Sequence, residues 1–193
     1  MELTDKEKRI LLNAARETIK SFFSGRRLTQ VNYDEFPAVM KANAGAFVTL
    51  TKKGSLRGCI GFIESENYLY ETVCDAALRA AFSDPRFYPL EERELEKVEI
   101  EISVLSPPFK MNSYDDIQLG VHGLILEDLG RRALLLPQVP IEHNMTKEMY
   151  LSAICEKAGL PPLLWKEREL KMNLFTATVF SEEEIRSQEY ADN

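Results

Sequence analysis

The sequence lacks any apolar run approaching the roughly 20 residues needed to cross a bilayer, and Met1 to Glu7 lacks the charged-then-apolar order of a secretory leader. No membrane partner is expected, and the cytoplasm is the expected location. Cysteine is scarce: Cys59, Cys74 and Cys155 form an odd, widely spaced set that suits neither a disulfide framework nor a paired-cysteine zinc site, so free thiols are expected. His122 and His143 are the only histidines, too few for a multi-histidine metal site, and neither a metal nor a cofactor is expected. No phosphate-binding glycine loop, dinucleotide fingerprint, internal repeat or low-complexity tract occurs. An excess of base is also missing: 24 Lys and Arg stand against 31 Asp and Glu, and a net charge of -7 argues against nucleic acid as a partner.

What is present is enough to close a core, 193 residues at 45% hydrophobic content. Thr4, with Glu7 three residues on, opens an amphipathic helix that runs to Phe23. The polar stretch from Gly25 to Pro37 reads as a loop. Residues 46–51 and 56–63 form a predicted hairpin around Lys52-Lys53-Gly54-Ser55, and 67–82 a helix that must stop near Asp84-Pro85. Val98, Ile100, Ile102 and Val104 alternate with Glu99, Glu101 and Ser103, a strand with one buried face that Pro107 and Pro108 end. A second hairpin is predicted over 123–127 and 133–136, a helix capped by Thr146 over 147–158, a closing strand over 174–180, and a solvated tail over 183–193. Strand pairs interrupted by single helices imply an α+β fold, a mixed, largely antiparallel sheet flanked by helices. The chain reads as a single domain over 1–193, with a smaller subdomain assigned to segments 24–45 and 107–122.

Leu56-Arg57-Gly58-Cys59-Ile60-Gly61 carries the most chemical information, because a thiol between two glycines is an odd way to build a strand core. In a regular strand Arg57, Cys59 and Gly61 share one face, with Gly58 on the other. A guanidinium about 6.6 Å along the strand then favours the thiolate, and Gly61 leaves space for a substrate. Cys59 is the candidate nucleophile, although a small buried thiol, with glycines admitting a crossing helix or marking a bulge, is the plainer reading of these residues. Arg79, Asp84 and Arg86 form a candidate anion clamp, against the plain reading of Arg79 as an i,i+4 ion pair with Asp75. Glu101 is a candidate acid, base or arginine partner, and Gln138 between Pro137 and Val139 a candidate amide contact. His122 and His143 read as loop residues.

These residues resemble the AMMECR family, known in prokaryotes as AmmeMemoRadiSam system protein A. The resemblance rests on Leu56-Arg57-Gly58-Cys59-Ile60-Gly61, then Arg79-Ala80-Ala81, Asp84-Pro85-Arg86-Phe87, Glu101 to Ser106 and Leu136-Pro137-Gln138-Val139, in that order over roughly residues 5 to 182. It implies an α+β fold with large and small subdomains. It also implies a pathway shared with a Memo-type protein and a radical S-adenosylmethionine protein, and names no reaction. The chain departs from the family's acidic and aromatic pattern at Ile141-Glu142-His143-Asn144. The readings carried forward are a ligand-binding or enzymatic cleft at Arg57 to Gly61, acting in thiol-dependent transfer or hydrolysis on an unknown small molecule, and alternatively a non-catalytic module for a protein partner.

Overall fold

The computed structural model describes residues 2–25 and 32–191, so the middle of the predicted loop after Gly25 lies outside the described residues. The chain divides into two compact units, Met1–Val104 with Thr178–Asn193, and Leu105–Ala177.

In the first unit α1 (Asp5–Ser24) begins with the expected capping box: the Thr4 hydroxyl accepts from the Glu7 N–H, and the Glu7 carboxylate accepts from the Thr4 N–H. A four-stranded sheet has the order β2-β1-β3-β8, with β1 at Ala46–Lys52, β2 at Ser55–Phe62, β3 at Val98–Leu105 and β8 at Ala177–Ser181. The β1–β2 turn is only Lys53-Gly54, both at positive φ, a two-residue hairpin whose twist matches the strands. Helix α2 (Leu69–Phe82) crosses the inner face of the sheet. Val48, Leu50, Ile100 and Ile102 there join Leu11, Ala15 and Ile19 of α1 and Val73, Ala76 and Ala77 of α2 in one core. The alanines let the helix come close: a Cβ at Gly58 would lie 2.1 Å from the Ala80 carbonyl oxygen.

The second unit holds a sheet of order β4-β7-β5-β6, with β4 at Phe109–Lys110, β5 at Gly123–Asp128, β6 at Arg131–Leu135 and β7 at Met172–Phe175. Short α3 (Val139–Glu142), α4 (Lys147–Lys157) and short α5 (Leu164–Glu167) accompany it. Tyr150 and Ile154 of α4 are fully buried against Leu124 and Leu126 of β5 in this unit's own core.

The α+β class stands, built from two antiparallel sheets rather than one mixed sheet. Residues 32–45, expected in the smaller lobe, belong to the larger unit as two 3₁₀ turns, Tyr33–Glu35 and Ala38–Lys41. The single closing strand is two, β7 and β8, parted at Thr176, where the Ser106 hydroxyl accepts from the Thr176 N–H and the Ser106 N–H donates to the Thr176 carbonyl. The expected solvated tail forms α6 (Glu182–Ala191), because Ile185 buries into the core and Glu182 reaches the Arg16 guanidinium.

Candidate functional site

Strand β2 lies at the edge of its sheet, so alternate residues turn a main-chain N–H and C=O away from β1. At Cys59 both groups are taken by side chains. Asp84 Oδ2 accepts from the Cys59 N–H at 2.9 Å, and Arg86 Nη2 donates to the Cys59 carbonyl at 3.2 Å. The same two residues bind each other through two parallel bonds, Arg86 Nε to Asp84 Oδ1 at 3.0 Å and Nη2 to Oδ2 at 2.7 Å. Asp84 is only 5% exposed, and the Arg86 guanidinium holds its carboxyl far below the usual carboxylate range despite burial. Asp84 and Arg86 are thus brought to Cys59, fixing its backbone as a neighbouring strand would.

The Cys59 side chain projects from the outer face, opposite α2. The register pairs Cys59 with Thr49 and Thr49 with Glu101, which places thiol, hydroxyl and carboxylate in one cross-strand row. The Thr49 hydroxyl donates to Cys59 Sγ at 3.3 Å. Among the three free cysteines Cys59 is half-buried, whereas Cys74 and Cys155 are buried and burial raises both of their thiol pKa values. The Arg86 charge lies within electrostatic reach of the Cys59 thiol.

Other predicted site residues fall elsewhere. A bulge between Leu50 and Thr51 leaves Arg57 as the extra residue of β2, breaking the alternation that put it beside Cys59. Its guanidinium turns to Glu94, with Nη2 to Oε2 at 2.8 Å, and Lys52 reaches the same carboxylate at 2.7 Å. Gly61 leaves no open space, since a Cβ there would sit 2.4 Å from the Phe47 ring and 2.3 Å from the Ala46 carbonyl. Gly58 faces α2, as the close-packing reading required. Arg79 makes the plain i,i+4 pair with Asp75 at 2.9 Å, its guanidinium 5.2 Å from the Phe62 ring centroid, so the three-residue clamp does not form. In the second unit Gln138 stands at the start of α3 with its Oε1 buried and unpartnered among the described residues. His122 Nδ1 stays within its loop, 3.2 Å from the Gln118 N and 3.0 Å from the Asp116 carbonyl oxygen, accepting from the first or donating to the second according to its tautomer, and His143 ends α3. No cluster of three metal-ligating side chains occurs among the described residues.

Two residues escaped the sequence reading. Thr49 contacts the sulfur only through strand pairing, and Glu94 takes Arg57 from a 3₁₀ segment, Glu92–Lys97, that has no strong periodicity. Regular pairing of the predicted hairpin, Thr51 against Leu56, would set Val48 opposite Cys59; only the bulge at Arg57 shifts the register to Thr49, so no sequence signal pointed to the hydroxyl.

A family model described as AMMECR1 matches residues 12–180. The chain belongs to the AMMECR1 family. It is 40% identical to a protein of Methanothermobacter thermautotrophicus over 187 residues, 94% of this chain and 97% of that one. A Methanosarcina barkeri protein is 39% identical, covering 94% of this chain and 93% of its own. The crystal structure of an uncharacterized Pyrococcus horikoshii protein is similar at 36% identity with a TM-score of 0.82, over 90% of both chains. The AMMECR1 match spans both units and every residue of the Cys59 row.

Proposed function

We propose that this AMMECR1-family protein works through the outer face of β2, with Cys59 as a nucleophile in thiol-dependent group transfer or hydrolysis on a small electrophile. The observation that carries the reading is the Cys59 thiol accepting the Thr49 hydroxyl bond while its backbone is clamped by Asp84 and Arg86. A hydroxyl donor lies on the sulfur and a guanidinium on the same residue's carbonyl, and the thiolate is the attacking form of a cysteine nucleophile. The thiolate adds to an acyl carbon, the leaving group departs with a proton, and water cleaves the thioester to restore the thiol. Glu101, two strands across in the row, is the candidate acceptor for the proton of that water; Gln138 remains a candidate ligand contact of the second unit by itself.

A second reading, a non-catalytic partner module, is favoured by the Phe47 ring against Gly61 and by the commitment of Arg57 and Arg79 to carboxylates. In it the same face docks a protein, and the partners implied by the AmmeMemoRadiSam resemblance are a Memo-type and a radical S-adenosylmethionine protein, met in the cytoplasm.

Alkylation of Cys59, Cys74 and Cys155 in the native chain between pH 5 and 9, read by peptide mass spectrometry, separates the two. Cys59 should react in the native chain while the buried Cys74 and Cys155 do not, and it should react more slowly in Thr49→Val and Arg86→Ala. A Cys59 inert until the chain unfolds removes the nucleophile and leaves the partner module.

A further inference from the structure

A cleft of about 830 Å³ lies wholly within the larger unit, where α1, the β1–β2 turn, the chain entering β3 and the first half of α6 meet. That is room for a small molecule, for which sites span roughly 300–1,000 Å³. Its walls are mainly charged, so an apolar ligand is not what it fits. Both of its arginines are committed. Arg16 holds Glu182 and donates to the carbonyls of Leu95 at 2.6 Å and Val98 at 2.8 Å, while Arg186 pairs with Glu99. Lys20 pairs with Glu17 on its own helix.

Lys53 and Lys97 remain. Each lines the cleft, and neither has an ion pair or hydrogen bond to the described residues. The two flank the end of the β1–β3 ladder: Lys52 opposes Val98, Lys53 follows in the β1–β2 turn, and Lys97 closes the 3₁₀ segment that leads into β3. Glu96 and Glu183, which also line the cleft, do not reach either ammonium, so two positive charges share its wall without a carboxylate partner among the described residues. An anion between the two amines turns one repulsion into two attractions.

We propose that Lys53 and Lys97 hold a compact polyanion of the phosphate class in this cleft. Lysine is a point-charge donor that suits a compact tetrahedral anion. The planar fork that recognises a carboxylate is absent, because both arginines are already engaged. The site stands apart from Cys59 and needs no thiol chemistry.

Calorimetric titration of the full chain with inorganic pyrophosphate at low salt, about 20 mM, tests it. Saturable binding is expected, weakened about tenfold or more in Lys53→Ala/Lys97→Ala and kept in Lys53→Arg/Lys97→Arg. The control Lys6→Ala/Lys110→Ala, with the same change in net charge, should bind like the parent chain. Without pyrophosphate the Lys53→Ala/Lys97→Ala variant should melt close to the parent, since neither ammonium bonds to the described residues, which separates lost binding from lost folding. No saturable heat with the parent chain, or equal loss in the control, overturns the proposal.

Discussion

Replacing Glu94 by Gln tests what holds the bulged end of β2. The Glu94 carboxylate accepts from Arg57 Nη2 at 2.8 Å, Lys52 Nζ at 2.7 Å and the Glu91 N–H at 3.1 Å, and its side chain is only 13% exposed. The Arg57 bonds above all, with Lys52 and the Glu91 N–H, lower its carboxyl from 4.5 to about 2. That interval, about 2.5 pH units at 1.36 kcal/mol each, sets an upper bound of about 3 kcal/mol. Water reaching Lys52, 34% exposed, reduces the expectation to about 2 kcal/mol. The folded carboxyl binds its proton less readily than the unfolded one, so this stability is full above about pH 4.5 and is lost as pH falls toward about 2. Glu94→Gln lacks it at every pH. The gap between parent and variant in urea unfolding, followed by circular dichroism, should therefore be about 2 kcal/mol at pH 7 and narrow steadily between pH 4.5 and 3. Other carboxylates titrate in both chains and cancel. A gap below about 0.5 kcal/mol at pH 7, or one that does not narrow in acid, would refute this account of Arg57.

Two further substitutions probe the larger unit. Arg16 ties α1 to Glu182 at 2.9 Å and to two carbonyls, and Glu182 also accepts from the Ile100 N–H at 3.0 Å, so Arg16→Ala and Glu182→Ala should each cost about 3 kcal/mol in chemical denaturation. The double variant should cost about 1 kcal/mol or more less than the sum, and strict additivity would show the pair uncoupled. Gly58→Ala puts a Cβ against the Ala80 carbonyl, a backbone atom that moves only with α2. It should lower stability by about 3 kcal/mol or prevent folding, and a loss under about 1 kcal/mol would mean that the helix yields freely.

Elements with a strong local signal were legible. The Thr4 and Glu7 pair, the valine and isoleucine alternation of β3 and the Thr146 cap of α4 each act within a few residues of themselves, and each lies where it was expected. What escaped depends on partners far along the chain. Residues 183–191 are mostly polar, and beyond the Ser181–Glu184 cap at its start the helix draws on distant partners: Arg16, 166 residues away from Glu182, Glu99 paired with Arg186, and the core beneath Ile185. The break at Thr176 is likewise set by Ser106, not by any residue within the strand.

The candidate site shows the same division. Asp84-Pro85-Arg86 could be picked from the sequence as polar residues at a helix end, but its contacts are main-chain ones that no side-chain pattern displays. Arg57 fails for a related reason: alternation assumes an unbroken ladder, and one bulge moves its guanidinium from the thiol to Glu94. The two effects complement each other. An edge strand with open N–H and C=O groups invites another strand to add, and adding one beside Cys59 would crowd the thiol. Asp84 and Arg86 close those groups with a charge pair that ends at the strand edge, so the edge is blocked while the outer face, with the Thr49 hydroxyl on the sulfur, is left to other molecules.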